Sequence, residues 1–269
     1  MSQTNIPVTS REFKLMLNVD RFQNRAAGAE AFWRLAAFIV EKKERGRADK
    51  KQPFKEERRV TSYLDTPGGL LRQHGLSLRQ RREGAKFNLT LKHRGADRYL
   101  SAARDVFSSR EARNEFEEDV LPPHSVKFSK SSRVKFTADP AVRTVGDVVA
   151  IFPGVGRLGI PADTPVEVVN DFEAQEVEVE LGGFTFGDGG PEVEASLSFW
   201  YLLGEDGELP MVGEFSFTYG AEETAEGELE QFHPETVDGA DRFFNSLQAH
   251  AGWFNFSLTT KTAFPLDSI

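Results

Sequence analysis

Apolar side chains take every second position over most of this chain, and the residues between them are charged or hydroxylated. That period of two dictates half-buried β-strands. Ser10–Val19 sets Phe13, Leu15, Leu17 and Val19 against Ser10, Glu12, Lys14 and Asn18. Leu89 and Leu91 stand opposite Thr90 and Lys92, Phe116 opposite Glu115 and Glu117, and Phe215 and Phe217 opposite Glu214 and Ser216. The same pattern predicts strands over 55–65, 76–83, 86–94, 112–120, 175–182, 192–202 and 209–219, eight in all with the first. Three segments carry helical spacing instead: Ala26–Glu44, with Ala29, Phe32, Trp33, Ala36, Ala37 and Val40 on one side and Gly46 as a stop; Val142–Ile151; and Asp238–His250, with Asp238 as its N-cap. Pro122–Lys135 and Gly187–Pro191 read as loops, Glu222–Glu230 as a solvated acidic loop, and no boundary, repeat or low-complexity tract divides residues 1–269, which predicts a single domain.

The helices decide which strand face is inside. In a sandwich the apolar faces meet each other and the charged faces meet water, but then the apolar stripes of the helices have nothing to cover. Helices packed outside a barrel turn the apolar strand faces outward and the charged faces inward. The reading is therefore an α+β fold, an eight-stranded antiparallel β-barrel with helices outside and an ionic lumen wide enough for side chains or one small ligand. Lys14, Arg79, Arg81 and Lys92 crowded there would repel one another unless Glu12, Glu115, Glu117 and Glu214, or a polyanion, balanced them. Basic groups that take phosphate oxygens, facing carboxylates that take hard cations, imply a phosphate chain held with a divalent metal. Charge is also divided along the chain: residues 1–140 hold 29 Lys and Arg against 18 Asp and Glu, and residues 141–269 hold 4 against 24.

Other chemistries are excluded by residue type or context. With Cys 0 there is no disulfide, thiolate ligand or thiol nucleophile. The run Gly154-Val155-Gly156-Arg157-Leu158-Gly159 follows Pro153 and is cut by Pro161, so it is a turn and not a dinucleotide loop. No phosphate-binding P-loop motif occurs, the five histidines show no metal spacing, and His93 points away from the lumen if Lys92 points in. Asp65 serves the turn at Thr66-Pro67-Gly68. The charged run Glu41–Lys51 is a solvated helix end rather than a nucleic-acid surface. The opening MSQTNIPVTSREFK lacks a signal-peptide layout and no apolar run nears the ~18 residues of a membrane span, so the expectation is a cytoplasmic protein with no membrane partner.

Several segments, in order, resemble the CYTH family, also called triphosphate tunnel metalloenzymes. Tyr63-Leu64-Asp65-Thr66-Pro67, Leu78-Arg79-Gln80-Arg81 and Leu89-Thr90-Leu91-Lys92 are similar to its Tyr-x-Asp-Thr-Pro, Leu-Arg-x-Arg and Leu-Thr-Leu-Lys. Glu12-Phe13-Lys14 matches the later part of its Glu-x-Glu-x-Lys, Arg113-Asn114-Glu115-Phe116-Glu117 its Arg-x-Glu-x-Glu, Glu214 the first acid of a late Glu-x-Glu, and Thr260-Lys261-Thr262 its C-terminal Ser-Lys element. The resemblance implies an eight-stranded tunnel that hydrolyses a small triphosphate, either inorganic or of thiamine or a nucleoside, with Mg²⁺ or Mn²⁺. Position by position it implies Arg79, Arg81, Lys92, Arg113 and Lys261 on the substrate, Glu12, Glu115 and Glu214 on metal, and Lys14 and Glu117 as catalytic groups. The alternatives are a weakened phosphate-binding tunnel or an adenylyl cyclase of the same family. Ser10 and Ser216 depart from the pattern where it has acids, and Glu176, Glu178 and Glu180 stand on a strand where it has a basic residue.

Overall fold

The structure, a computed structural model, describes residues 6–188, 190–204, 209–221, 232–258 and 260–261. Nine strands close into a ring: β1 (Ser10–Met16), β2 (Arg47–Asp65), β3 (Leu76–Glu83), β4 (Lys86–Gly95), β5 (Arg113–Leu121), β6 (Ser125–Phe136), β7 (Glu167–Thr185), β8 (Val193–Leu202) and β9 (Val212–Gly220). Their order around the barrel is β1-β5-β6-β4-β3-β2-β7-β8-β9, and β9 pairs back to β1. All pairings are antiparallel except β1 with β5. The predicted Glu222–Glu230 loop lies outside the described residues.

The ninth strand corrects the sequence reading. Pro122–Lys135 is not a loop, because Pro122-Pro123 turns the chain and β6 pairs with both β5 and β4. Its outward row, Val126, Phe128, Lys130, Ser132, Val134 and Phe136, is interrupted by two polar residues that are nonetheless buried. Lys130 reaches the carbonyl of Ala102 at 2.6 Å, in a short helix at Arg98–Ala103, and lies over the Phe107 ring. A partner distant in sequence thus satisfies a charge that, read alone, breaks the alternation.

Helix α1 (Arg25–Lys42) opens on Asn24, whose side chain accepts from the Ala27 N–H. Short helices α2 (Leu70–Gln73) and α3 (Arg98–Ala103) follow β2 and β4, α4 (Val145–Ile151) precedes β7, and α5 (Pro234–Gln248) follows β9. Helix α5 starts four residues before the expected N-cap Asp238, with His233 at the N-cap and Pro234 in the first turn, where a missing N–H costs nothing. Likewise β1 ends at Met16, and Val19 opens a 3₁₀ turn instead of continuing the strand. Residues 153–158, the glycine-rich run, form a 3₁₀ turn after α4 with no helix opening at it. Among the described residues no helix is long and apolar enough to cross a membrane.

The main core lies outside the ring. Phe13, Phe184, Leu197, Phe215 and Phe217 point out of the barrel and are covered by α1 and α5. Ring centroids lie 4.7 Å apart for Phe32 and Phe215, 5.1 Å for Phe217 and Phe243, and 5.2 Å for both Trp33 with Phe184 and Phe13 with Phe244. A second cluster packs α4 against Leu78, Leu89, Leu91 and Val134 on the opposite wall. With both outer walls apolar, the alternate positions of the same strands have only the lumen to enter.

Candidate binding site: the ionic lumen

The inner lumen is a cavity of about 220 Å³, and Glu12, Glu178, Ser196 and Ser216 also line a wider space of about 720 Å³ toward Lys50, Lys51 and Lys55. The inner part, below the ~300–1,000 Å³ typical of pockets for drug-sized ligands, suits a compact ion. Its lining holds six carboxylates (Glu12, Glu115, Glu117, Glu176, Glu178, Glu214) and seven cations (Lys14, Arg79, Arg81, Lys92, Arg94, Arg133, Lys261). The near balance in sum conceals a division by wall. Five of the cations sit on β3, β4 and β6, three neighbours in the ring, and the acids sit on β1, β5, β7 and β9.

Nine of the ten residues singled out from sequence line this cavity: Glu12, Lys14, Arg79, Arg81, Lys92, Glu115, Glu117, Glu214 and Lys261. Arg113 does not. It is on the inward row of β5 but at the mouth, where its side chain is 69% exposed and pairs with Glu115 at 2.7 Å. Asp65 accepts from the N–H groups of Thr66, Leu71 and Arg72, and so holds the turn into α2. His93 faces away from the lumen with its Nδ1 2.9 Å from the Gly75 carbonyl, and its pKa is lowered chiefly by burial.

Two buried carboxylates organise the cations, and neither was assigned a role from sequence. Asp119, fully buried, takes Lys14 at 2.5 Å, Arg94 at 2.8 Å and the Ser129 hydroxyl, with Lys92 at 4.0 Å. Burial alone would raise its pKa, but Lys14, Lys92 and Arg94 outweigh that and hold it far below the usual carboxylate range. Lys14 is in turn kept charged against its own burial by Asp119 and by Glu12, 2.7 Å away. Glu176, also fully buried, takes Arg81 at 2.9 Å, Arg59 at 3.0 Å and Lys261 at 3.1 Å, and burial is again outweighed, here by Arg81, Lys261 and Arg59. Asp119 and Arg94 each stand two positions beyond a matched motif residue, so the strand period was the signal for both. Arg133 lay hidden in the misread strand.

The cations of the β3–β4–β6 wall are incompletely matched. Tyr63, Arg79, Thr90, Arg133 and Arg113 are successive register partners across β2, β3, β4, β6 and β5, forming one transverse row. Within it Arg79 and Arg133 have no carboxylate partner among the described residues, and the buried Nε atoms of Arg79, Arg81 and Arg133 have no hydrogen-bond acceptor. Burial, and then the neighbouring charge of Arg79, pushes Arg81 down to about 10. Arg133 is lowered by burial too, with Arg113 and Arg79 adding to it against the opposing pull of Glu115. Buried donors without acceptors, in a field of like charge, are the complement of an anion.

The carboxylates offer only oxygen, the donor that Mg²⁺ and Mn²⁺ prefer. Among the described residues no three acidic or His side chains converge into a metal cluster. Mg²⁺, however, is commonly held by one or two carboxylates plus substrate phosphates, so this donor set fits an ion that arrives with a phosphate chain. Ser10 donates to Glu117 at 3.3 Å, and Ser216, opposite Lys14 in the β1–β9 register, lies 3.3 Å from the Ser196 hydroxyl.

Fold and lumen together define a closed β-barrel with a charge-lined, anion-seeking interior. Over residues 34–158, from α1 to the 3₁₀ turn after α4, the chain matches the family model described as the CYTH domain, the family its motifs resemble. No curated protein matches the chain. Among solved structures it is similar to a putative adenylyl cyclase from Hippeastrum described as having a dominant triphosphatase activity, at 14% identity over 97% of each chain with a TM-score of 0.49. It is also similar to putative adenylate cyclases from Bacillus halodurans (11% identity, 94% of each chain, TM-score 0.41) and Vibrio parahaemolyticus (12% identity, 98% of this chain and 100% of that one, TM-score 0.38). The fold stands on the chain's own strand register and not on these likenesses.

Proposed function

We propose that the protein binds a small triphosphate in its lumen and hydrolyses it with a divalent cation. The observation that carries this reading is the wall of Arg79, Arg81 and Arg133, whose buried Nε donors lack acceptors. A phosphate chain supplies several oxygens at once and relieves the mutual repulsion of these guanidiniums. Substrates of this class are inorganic triphosphate or the triphosphate end of thiamine or nucleoside triphosphate.

Arg79, Arg81, Arg133 and Lys92 hold the chain and neutralise the charge that builds in the phosphoryl transition state. Lys14, kept protonated between Asp119 and Glu12, stands as a cation for the leaving phosphate. Glu117, fixed by Ser10 and by Lys92 at 3.3 Å, orients the attacking water. Glu12, Glu115 and Glu214 would hold Mg²⁺ or Mn²⁺, which would supply further charge neutralisation and acidify a water.

A second reading, binding without turnover, is favoured by Ser10 and Ser216, which put neutral hydroxyls where two more carboxylates would strengthen metal binding. One experiment separates the two. Phosphate release from tripolyphosphate, thiamine triphosphate and ATP is followed with Mg²⁺ or Mn²⁺, beside Glu12→Gln/Glu214→Gln and with cyclic AMP measured in the ATP arm. Metal-dependent release that falls at least about a hundred-fold in the variant is expected. No release from any of the three, with tripolyphosphate still raising Tm, leaves the binding tunnel instead, and cyclic AMP as the main product contradicts hydrolysis.

A further inference from the structure

The surroundings of Glu176 go beyond an ordinary ion pair. Five donors from four parts of the chain converge on this one carboxylate: Arg59 (3.0 Å) and Thr61 (2.6 Å) on Oε2, and Arg81 (2.9 Å), Lys261 (3.1 Å) and Ser198 (2.9 Å) on Oε1. Three cations and two hydroxyls around two oxygens is the donor set of an oxyanion site, already filled by the protein itself.

Its position in the barrel is equally specific. The inward rows of β1, β2, β7, β8 and β9 end, on one side of the ring, in Met16, Tyr63, Ala174, Trp200 and Val212, which pack together as a buried apolar cluster with Phe172 and Leu258 against it. This cluster floors the lumen. Glu176 is the register partner of Trp200, and the Lys261 ammonium that it holds lies 5.4 Å from the Trp200 ring. The carboxylate thus sits against the floor, and no charged group lies beyond it on β7 before Ala174. On its other side is Arg81, which gives an NH₂ to Glu176 while its Nε stays unpartnered alongside Arg79 and Arg133.

We propose that Glu176 is a resident anion at the inner end of the phosphate site, where it takes the place of one phosphate group and so limits the length of phosphate chain the lumen accepts. It is a specificity-determining residue: it commits Arg59 and Lys261, shares Arg81, and repels any phosphate that extends toward the floor. The substrate anion is left with Arg79, Arg133, Lys92 and the free side of Arg81. This rests on the reading of the lumen as a phosphate site and adds the rule by which chain length is chosen.

The test is calorimetric titration of the whole chain with linear diphosphate, triphosphate and tetraphosphate, for the wild type and Glu176→Gln. In the wild type, affinity is expected to rise from diphosphate to triphosphate and then stop. In Glu176→Gln, which removes the charge and frees its cations, the tetraphosphate is expected to bind about ten-fold more tightly than the triphosphate. Glu176→Asp, which keeps the charge, should retain the wild-type order. Wild-type affinity that keeps climbing at tetraphosphate overturns the proposal without any variant, and so does a folded Glu176→Gln with an unchanged order. Failure of the wild type to bind any of the three chains overturns the phosphate-site reading itself.

Discussion

Asp119 shows how a single lumen residue couples stability to function. It joins β5 to β1 through Lys14 and to β4 through Arg94, in a setting where a lone charge is very costly. Asp119→Asn removes the charge and leaves Lys14 and Arg94 facing each other without it, so a loss of about 3–5 kcal/mol is expected from urea denaturation. The same group sets an acid limit. Its folded pKa, like that of Glu176, is depressed below the unfolded values of 3.8 and 4.5, so the stabilisation is present in full above about pH 5 and is lost as pH falls through the unfolded values toward the folded ones. The urea midpoint should therefore hold from neutral pH to about 5 and drop below it, and Asp119→Asn should flatten that drop. A variant as acid-sensitive as the wild type would place the titrating groups elsewhere. At this scale sequence reading reached the residues inside recognisable motifs but stopped at their ends. Lys92 was assigned and Arg94 was not, although both face the lumen, and Glu117 was assigned while Asp119, the most fully ion-paired acid of β5, was not.

Elements are legible where apolar residues alternate through the middle of a strand. The strands carrying Phe13, Leu89, Phe116 and Phe215 are legible, and so is the outward packing of α1, because large apolar residues hold the centre of each outward face even where Arg11, His93 or Glu118 flanks them. Strand β6 is missed because Lys130 and Ser132 interrupt its outward face, and the burial of Lys130 is made tolerable by its bond to the Ala102 carbonyl of α3. The start of α5 lies before the Asp238 cap that the sequence suggests, because Pro234 fits the first turn of the helix. That helix is held by close packing: a Cβ added to Gly239 would meet Phe186 at 2.4 Å, and Phe243 is fully buried against Phe184 and Phe217. Phe243→Ala should cost about 3–5 kcal/mol in urea denaturation. A cost under about 1 kcal/mol would mean that α5 does not seal the β7–β9 side of the barrel.

For the molecule as a whole, the lumen draws on both halves of the chain. Residues 1–140 supply Arg79, Arg81, Lys92, Arg94 and Arg133 on adjacent strands together with Glu12, Glu115 and Glu117, and residues 141–269 supply Glu176, Glu178, Glu214 and Lys261. That the charged strand faces turn into the barrel is legible, since only inward-facing charges leave the helices a surface to cover. The balance between cations and carboxylates is not, because it depends on which cations each buried carboxylate claims, and that is settled by register and shear around the ring. The uncommitted cations are the functional remainder, and the central claim is that they bind a phosphate chain. Calorimetric titration of tripolyphosphate at ~0.15 M salt, where exposed charges are largely screened, compares the wild type with Arg79→Glu/Arg133→Glu. The account predicts clear wild-type binding that weakens at least about a hundred-fold in the variant with its fold intact. Equal affinity in the two proteins would contradict it.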